Sequence, residues 1–427
     1  MKVFKFGGAS VKDAESVRNA ARILERYSKE QLFVVVSAMG KTTNALEQIV
    51  CDCYEKRDYA ENLSALKNYQ MTIVTELIPA PTAKIVMETL FDKLGKILQQ
   101  SRLYSDFDAL YDAIVPFGEM FSSHIILEYL KFIGKNCCLI NAFEWVKTDN
   151  YFRSAKVDIE DTTKQLRNLI VQHPDVPIFI TQGFIGHSGH HSTTLGREGS
   201  DYSAALAASI LKAESVTVWK DVSGLFNADP KKMHNAQKIG KLSYKEAIEL
   251  AYYGAKIIHP KTIKPIENNN IPLHIKSFLN PEDEGTSICR DVQTETQLPF
   301  FIFHDNQILI SISVKDFSFI TEENLSNIFG TINRCRVHVH LMQNSAISFS
   351  ICVDDDPIRC PLLIRLFSEN YNIRYNENLE LITVRNYHRS DLKTLMTDKE
   401  ILLEQRNRTT AQFVVRNLKN TTKRQTH

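Results

Sequence analysis

Hydrophobic residues along the chain alternate between short runs typical of buried strands and longer stretches with helical spacing. The first run, residues 3–6, is followed by Gly7 and Gly8 and then by an amphipathic stretch in which Ser10 and Asp13 resemble a capping box. This order predicts a strand, a glycine turn and a helix start. Because glycine permits close backbone approach and a helix N-terminus favours anions, the turn suits a phosphate; a plain structural turn is the alternative.

Two further loops follow predicted elements. Residues 32–36 form a continuous apolar run, typical of a strand covered on both faces, and lead into the polar loop 37–44. Such loops at the carboxyl ends of parallel strands are where α/β sheets bind ligands. Residues 46–100 are predicted to be mostly helical and carry no assigned chemistry. Glu119 stands near the start of another helix, where a surface residue that compensates the helix dipole is the alternative to a functional one.

The clearest candidate chemistry lies in the segment that reads Leu-Gly-Arg-Glu-Gly-Ser-Asp. A strand over residues 177–184 and a polar hairpin turn precede it. Gly196 and Gly199 flank Arg197 and Glu198 and leave space around them. The planar guanidinium group of Arg197 can form two parallel hydrogen bonds with a carboxylate or a phosphate. Ser200 and Asp201 then cap a predicted helix of small residues, which would pack tightly on the sheet.

Composition excludes several classes of protein. The 427 residues contain 51 Lys and Arg against 50 Asp and Glu, so no overall field favours nucleic acid or an anionic membrane. No apolar run of about 18 residues and no signal peptide pattern is found, which predicts a cytoplasmic protein. The eight cysteines are scattered and predict free thiols. His187, His190 and His191 could suggest a metal, but no carboxylate or cysteine stands at ligand spacing.

Seven segments, taken in order, make the chain similar to aspartate kinases of the amino-acid kinase family. They are KFGGAS, the loop 37–44, FGEMFSS, TQGFIG, TTLGREGSDYSAA, KDVSGLFNADP and GAKIIHPKTI, between residue 1 and about residue 290. The resemblance implies an α/β amino-acid kinase fold, a mainly parallel sheet sandwiched by helices. It also implies transfer of the ATP γ-phosphoryl group to the β-carboxylate of L-aspartate, giving 4-phospho-L-aspartate, the first step of lysine, threonine and methionine biosynthesis. Since this reaction brings two anions together, positioning and positive charge must supply most of the catalysis.

The resemblance also implies roles for individual residues. Lys5 and Asp201 are the implied catalytic residues, Lys5 on the transferring phosphates and Asp201 holding the lysines in place. Arg197 would bind the α-carboxylate of aspartate and Glu119 its ammonium group; the full implied aspartate site is Ser37, Thr43, Glu119, Arg197 and Ser200. The implied ATP site is Lys5, Phe6, Gly7, Gly8, Lys220, Asp221, Phe226, Lys231, Lys256 and Ile257. Mg²⁺ would bridge the phosphates with few protein ligands, so no residues are assigned to a metal.

Three positions depart from the family pattern. Ala9 stands where threonine is common, Glu198 where glycine is common, and Phe226 where tyrosine often stacks near the adenine. None removes a charge assigned to catalysis. Because Glu198 puts a carboxylate beside Arg197, we hypothesise that it competes for the guanidinium group and raises the KM for aspartate.

The C-terminal part resembles an ACT regulatory region of α+β, ferredoxin-like type. Strands are predicted at 308–314, 337–342, 346–353 and 379–385, with helices at 322–335 and 358–369, in the order β-α-β-β-α-β. We therefore predict a catalytic domain over residues 1–295 and a regulatory region over 296–427. The latter would contain one full repeat, about 306–370, and an abbreviated second, about 378–418. ACT sheets pair with one another, so a homodimer is expected.

Regulation by an amino-acid effector at the ACT region is the further implication of the resemblance. In lysine-inhibited relatives an acidic residue on the strand after the first ACT helix receives the effector's amine. The matching position here is His340, and Glu323 stands where a glycine is typical before the helix. Because histidine is a poor partner for an ammonium group, we expect weak or absent lysine inhibition. A clear submillimolar inhibition curve with lysine would refute this expectation.

Two other functions remain as alternatives. The same fold could phosphorylate another acceptor, such as glutamate or acetylglutamate, although the FGE motif and the ACT region favour aspartate. The chain could also be a catalytically weak amino-acid sensor with a kinase-like domain. A sensor is expected to have lost Lys5, Asp201 or Lys256, and all three are present.

Overall fold

The computed structural model describes residues 1–104, 106–255, 258–290, 292, 298–316, 318–388, 392–393 and 395–418. Contacts between residues divide the chain into two compact units. The first comprises Met1–Leu225, Lys238–Ile248 and Lys256–Val292, and the second comprises Phe226–Gln237, Glu249–Ala255 and Gln293–His427. The last change of unit follows Val292, and two earlier segments also belong to the second unit. The predicted domain boundary after residue 295 stays a prediction.

Helices occur together with strands in the first two thirds of the chain, with five helices in succession over residues 42–132. In chain order they are α1 Ala14–Arg26, α2 Thr42–Tyr54, α3 Ala60–Leu77, α4 Pro81–Gln99, α5 Phe107–Ile114, α6 Phe117–Phe132, α7 Ala142–Trp145, α8 Ile159–Val171, α9 Gly199–Leu211, α10 Tyr244–Tyr252, α11 Pro260–Asn268, α12 Glu322–Arg334 and α13 Arg359–Ser368. Short 3₁₀ turns form at Gly8–Val11 and Ser101–Leu103. The prediction that residues 46–100 are mostly helical is confirmed by α2, α3 and α4.

The strands are short in the first unit and long in the second. In chain order they are β1 Lys2–Phe6, β2 Leu32–Val36, β3 Cys137–Leu139, β4 Ile178–Gln182, β5 Ile185–His187, β6 Ser192–Thr194, β7 Val216–Lys220, β8 Leu225–Phe226, β9 Lys238–Ile239, β10 Lys241–Ser243, β11 Leu273–Ser277, β12 Thr286–Cys289, β13 Phe300–Val314, β14 Val339–Asn344, β15 Ser348–Asp354, β16 Tyr371–Arg385, β17 Lys399–Arg406 and β18 Thr410–Asn417.

An eight-stranded sheet in the order β10-β12-β11-β7-β1-β2-β4-β3 forms the centre of the first unit. Its central strands β7, β1, β2 and β4 are all parallel. Every residue of β2 is buried, as its continuous apolar run predicts for a strand covered on both faces. In this register Phe6 lies opposite both Val36 and Trp219, and Val36 lies opposite Gln182. The loops that follow four neighbouring strands therefore leave the sheet at one edge.

The start of α1 differs from the predicted capping box. Asp13 is the N-cap, and its carboxylate accepts a hydrogen bond from the backbone N–H of Ser16 at 2.8 Å. Ser10 lies earlier, in a 3₁₀ turn, and its hydroxyl donates to the carbonyl of Trp219 at 3.0 Å. The turn between β1 and α1 is therefore longer than the sequence pattern indicated. Within it, the Ser10 hydrogen bond connects the glycine turn to the end of β7.

The second unit contains a six-stranded sheet in the order β14-β15-β13-β16-β18-β17. The later part of β13 pairs with β15, and β16 pairs antiparallel along β13 through two register breaks. Residues of α12 and α13 pack on one face of β13 and β15 around Ile310, Ile328 and Leu363. The predicted β-α-β-β-α-β order is confirmed. The sheet type and the pairing are those of an ACT-like, ferredoxin-like region.

The strands in the range predicted for an abbreviated second repeat pair with other strands of this chain. The first part of β13, Phe300 to His304, pairs with the end of β16, and β18 pairs with the other side of β16. The sequence prediction began this strand only at residue 308 and did not include β17. All eight cysteines are free, as predicted. None of the described helices has both the length and the apolar character needed to cross a bilayer.

Candidate active site

A cavity of about 450 Å³ opens at the carboxyl edge of the first unit's sheet. Polar and glycine residues make up most of its wall, and several loops and helix starts contribute them. The lining residues are Lys5, Gly8, Ser37, Ala38, Gly40, Thr43, Tyr111, Glu119, Arg153, Phe184, Gly196, Arg197, Glu198, Gly199, Ser200 and Asp201. The structure therefore brings together both implied catalytic residues and all five implied aspartate-binding residues.

The two loops after β1 and β2 are held against each other by backbone contacts. The N–H of Gly40 donates to the carbonyl of Gly8 at 3.0 Å. A Cβ atom at Gly8 would lie 2.6 Å from the carbonyl oxygen of Ala38, which is closer than real Cβ atoms approach. Glycine is therefore required at this position for close packing of the loops, and that packing lets the backbone line the cavity.

A buried ion pair lies on one wall of the cavity. The Nζ atom of Lys5, on β1, is 2.7 Å from Oδ1 of Asp201, in the first turn of α9. The two residues are 8% and 3% exposed. Oδ1 makes no hydrogen bond within the described part of the chain, so the contact is a close charge pair whose angles are not those of a hydrogen bond. The pair fixes a cation beside Gly7, where an anion would meet it.

Glu119 is buried in the first turn of α6 with one oxygen unpaired. Its Oε1 accepts a hydrogen bond from the N–H of Ala38 at 3.1 Å, whereas Oε2 has no partner among the described residues. Burial raises the pKa of Glu119 to about 8. The carboxyl group is therefore mostly protonated at neutral pH, and a cation that binds beside it would favour its ionised form.

Arg197 lies between two residues in the left-handed conformation, Gly196 at φ 77° and Glu198 at φ 53°. The carboxylate of Glu198 accepts a hydrogen bond from the backbone N–H of His259 at 2.6 Å. No carboxylate lies within ion-pair distance of Arg197 in the described chain. The hypothesis that Glu198 competes for the guanidinium group is thus corrected, because its side chain is turned toward the N-terminus of α11 instead.

We expect Glu198→Gly to leave the KM for aspartate within about twofold of wild type, because Glu198 does not pair with the guanidinium group. Glu198→Ala should melt about 2–4 °C below Glu198→Gly, since alanine keeps the strain of the left-handed conformation and glycine does not. Steady-state kinetics and thermal unfolding of the two variants test both statements. A large fall in KM in Glu198→Gly would restore the original hypothesis.

Asp112 anchors the strand that leads to Arg197. It is fully buried, and its carboxylate accepts hydrogen bonds from the hydroxyl of Thr194 at 2.8 Å and from the backbone N–H groups of Thr194 and Arg153, both at 2.9 Å. Burial raises the pKa of Asp112 to about 6. These three hydrogen bonds fix Thr194, the last residue of β6, three positions before Arg197.

Arg153 is a cavity cation that the sequence analysis did not identify. Its guanidinium group lies 3.2 Å from Asp108 and 4.5 Å from the centre of the Tyr111 ring. No glycine motif or helix start marks its segment, and only the three-dimensional contact with α5 brings it to the cavity. Lys5, Arg153 and Arg197 give the wall three cations, which favours an anionic ligand.

The implied ATP residues are distributed over both units. Lys220 ends β7 and Asp221 follows it, at the same sheet edge as Gly7. The Phe6 side chain is buried in the core, stacked on Trp219 with ring centres 6.2 Å apart, so only its backbone faces the loop edge. Phe226 and Lys231 belong to the second unit. Lys256 and Ile257 lie outside the described residues.

Lysine, arginine and glycine backbone at the carboxyl edge of a parallel sheet form a candidate site for an anionic ligand such as a phosphate. A sequence model described as the amino acid kinase family matches residues 1–277, and the chain belongs to this family. Its similarity within the family is to aspartokinases. It is 31% identical over 396 residues to the bifunctional aspartokinase/homoserine dehydrogenase of Buchnera aphidicola, covering 89% of this chain and 47% of that one. The chain thus spans about half the length of that relative.

A relative of comparable length and solved structures agree with this similarity. The chain is 30% identical to lysine-sensitive aspartokinase 3 of Escherichia coli over 353 residues, covering 82% of this chain and 78% of the relative. The crystal structure of E. coli aspartokinase III with aspartate and ADP is 25% identical, with a TM-score of 0.81 over 99% of this chain and 97% of that one. Its complex with lysine and aspartate gives 0.82 over the same shares, at 25% identity.

Proposed function

We propose that the protein is an ATP-dependent aspartate kinase. It would transfer the γ-phosphoryl group of ATP to the β-carboxylate of L-aspartate, giving 4-phospho-L-aspartate and ADP. The observation that carries the proposal is the combination of groups in one cavity: Lys5 suits a phosphate, Arg197 suits an α-carboxylate and Glu119 suits an α-ammonium group. The complex of E. coli aspartokinase III with aspartate and ADP supports the same pair of substrates.

Aspartate would bind by its two backbone charges. The guanidinium group of Arg197 would form a bidentate pair with the α-carboxylate. Glu119 would give up its proton and pair with the α-ammonium group through the unpaired Oε2. The hydroxyl groups of Ser37, Thr43 and Ser200 line the same cavity and would hydrogen-bond the ligand. These contacts leave the β-carboxylate as the free end of the substrate.

The chemical step requires little more than positioning and positive charge. A β-carboxylate oxygen attacks the γ-phosphorus, and the bond from that phosphorus to the oxygen of ADP breaks. No side chain has to remove a proton, because the attacking carboxylate is already ionised. Lys5 stabilises the charge on the transferring phosphoryl group, and Gly7 and Gly8 would offer backbone N–H groups to it. Asp201 keeps the Lys5 ammonium group in place at 2.7 Å.

Mg²⁺ is part of the proposal, and the residues present fit it. Asp221, an exposed carboxylate directly after β7, stands at the same sheet edge as Gly7, whereas Oδ1 of Asp201 is occupied by the Lys5 ammonium group. Among the described residues, no cluster of three metal-ligating side chains lies in this cavity. Magnesium typically binds through one or two carboxylates plus substrate phosphates, so Asp221 together with the phosphates would hold the ion. The ion would neutralise the charge of the phosphates.

The buried Glu119 also favours aspartate over the alternative acceptors. An acetylated amine carries no positive charge, so acetylglutamate would leave the Glu119 carboxyl group without an ionic partner. Glutamate keeps the ammonium group but is longer by one methylene. ADP formation with aspartate, glutamate and acetylglutamate compares the three acceptors; turnover with acetylglutamate above that with aspartate would contradict the proposal. The sensor alternative gains no support from the aspartokinase relatives.

The efficiency of aspartate use is expected to rise with pH. Because the pKa of Glu119 is raised to about 8 in the free protein, kcat/KM for aspartate should increase about tenfold per pH unit between pH 6 and 7.5. Aspartate itself does not titrate in that range. In Glu119→Gln the profile should be low and flat. A flat profile in the wild type would show that Glu119 is already ionised without the ligand.

The same shift predicts how stability depends on pH. The pKa of Glu119 is raised from 4.5 to about 8, so the folded protein holds a proton that the unfolded chain has released. This contribution to the free energy of unfolding is fully present below pH 4.5 and is lost as pH rises toward 8. Glu119→Gln should remove that slope in unfolding measurements across the window.

We also propose that the protein is a homodimer with an effector site in its second unit. β14 is an edge strand of the six-stranded sheet, and Met342 and Ile347 beside it are 47% and 46% exposed. Exposed edges with apolar side chains favour pairing with another strand. Light scattering at micromolar concentration should give twice the chain mass, and a monomer would contradict the proposal.

A further inference from the structure

Two histidines and an aspartate converge in the second unit. His304 lies on β13, His340 on β14 and Asp354 at the end of β15. One ligand atom of each residue lies within 4.8 Å of the other two. We propose that these residues bind a divalent transition metal ion, and the ligand set of two imidazoles and one carboxylate favours Zn²⁺. The three residues belong to the second unit, whereas those that line the active-site cavity belong to the first, and the proposal goes beyond the proposed kinase activity.

Backbone irregularities place both histidines at the cluster. The pairing of β14 with β15 shifts register between Val339 and Leu341, so His340 is the extra residue of a bulge. The pairing of β13 with β16 shifts between His304 and Gln307. Bulges redirect side chains and occur often at functional sites. The two imidazoles therefore point where regular strands would not put them.

His340 and Asp354 are in direct contact through two atoms of the kind that bind metal ions. Nε2 of His340 lies 3.0 Å from Oδ1 of Asp354. That nitrogen is buried from water and has no hydrogen-bond partner within the described chain. Two atoms bound to one tetrahedral zinc ion, with bonds of about 2.0–2.1 Å, are about 3.3 Å apart. The separation is thus close to that of two ligands of a common ion.

His304 is held in the tautomer that suits a metal ligand. Its Nε2 lies 2.9 Å from the carbonyl of Tyr253, and a carbonyl can only accept, so Nε2–H is the donor and Nδ1 keeps its lone pair. A Cβ atom at the next residue, Gly254, would lie 2.1 Å from the ring. Only glycine, which has no Cβ atom, therefore fits beside the His304 ring in this position. Such partners of the second ring nitrogen are typical of metal-bound histidines.

The third ligand leaves room for water. The Asp354 side chain is 63% exposed, and its Oδ1 accepts a hydrogen bond from the Gln307 amide at 2.8 Å. Gln307 is fully buried and pairs with Asp354 across β13 and β15. The carboxylate is therefore oriented by the sheet, while the exposed side gives an entry path for the ion. Three protein ligands and one open position are sufficient for zinc.

The proposal is tested by adding ZnCl₂ to the full chain without a histidine tag. Isothermal titration, in competition with a chromophoric chelator, should show one Zn²⁺ per chain. Co²⁺ in its place should give the visible absorption of a tetrahedral site with nitrogen and oxygen ligands. His340→Gln and Asp354→Asn should each weaken zinc binding about 100-fold, because each removes one of three ligands. Thermal unfolding with zinc should shift upward in the wild type and much less in His340→Gln and Asp354→Asn.

His234→Ala is the matched control, since it removes one exposed imidazole of the same unit without touching the cluster. It should bind zinc as the wild type does. The proposal is overturned if the wild type binds no stoichiometric zinc, or if both ligand variants bind it with unchanged affinity. Equal loss in His234→Ala would show that the binding is unspecific, which also overturns it. Circular dichroism of each variant confirms that the fold is retained.

Discussion

Lys5→Met is expected to lower kcat about 10³-fold. The Lys5 ammonium group is the cation that the sheet and Asp201 hold in place at 2.7 Å, and methionine keeps the shape of the side chain without its charge. Preorganised charges that stabilise a transferring phosphoryl group are typically worth 10²-fold to 10⁵-fold in rate. Single-turnover formation of ADP with saturating aspartate and ATP measures the effect on the chemical step.

The control for Lys5→Met addresses stability. Lys5→Met leaves the buried Asp201 carboxylate unpaired. Losing one partner of a buried ion pair typically lowers the free energy of unfolding by about 3–5 kcal/mol, so a loss of activity in this variant must be separated from a loss of fold. The double variant Lys5→Met/Asp201→Asn removes both charges and should unfold at a higher temperature than the single variant. The double variant should be as inactive as Lys5→Met. Activity within tenfold of wild type in either folded variant would show that Lys5 does not act on the phosphates.

Arg197→Met is expected to raise the KM for aspartate about 100-fold or more and to leave the KM for ATP nearly unchanged. A bidentate guanidinium–carboxylate pair is lost, and the α-carboxylate is then left in the cavity without its partner. Arg197→Lys should recover only part of the loss, because an ammonium group cannot form the two parallel hydrogen bonds. Initial-rate kinetics with each substrate varied in turn separates the two constants.

Arg153→Met is the matched control, because Arg153 lines the same cavity but is already paired with Asp108. We expect a change below about fivefold in the KM for aspartate. A larger rise in the KM for aspartate in Arg153→Met than in Arg197→Met would assign the α-carboxylate to Arg153 instead. A rise in the KM for ATP in Arg197→Met would instead place this guanidinium group at the nucleotide.

The sequence predicted the parts of the site that local patterns determine. Strand, glycine turn and helix start follow from the spacing of residues 3–13, and the wall around Arg197 follows from its flanking glycines. The parallel register then aligns these loops at one edge, which is a general property of such sheets. The grouping of Lys5, Glu119 and Arg197 in one site, by contrast, came from the family resemblance, since more than 190 residues separate the first from the last.

What the sequence did not predict depends on contacts between distant segments. The Glu198 carboxylate is bound to the backbone of His259, and no local pattern distinguishes this from a pair with its neighbour Arg197. The first part of β13 was missed although residues 300–303 are an aromatic and β-branched run; its partner, the end of β16, is distant in sequence. The histidine cluster was missed because strand bulges, rather than ligand spacing, bring His304 and His340 together.

Trapping of the acyl phosphate with hydroxylamine tests the proposed activity most directly. Wild type and Lys5→Ala are incubated with Mg-ATP and aspartate, glutamate, acetylglutamate or no acceptor. The account predicts a hydroxamate that requires aspartate, forms with stoichiometric ADP and disappears in Lys5→Ala. No hydroxamate with any acceptor from a folded, ATP-binding wild-type protein would contradict the kinase activity and favour the sensor.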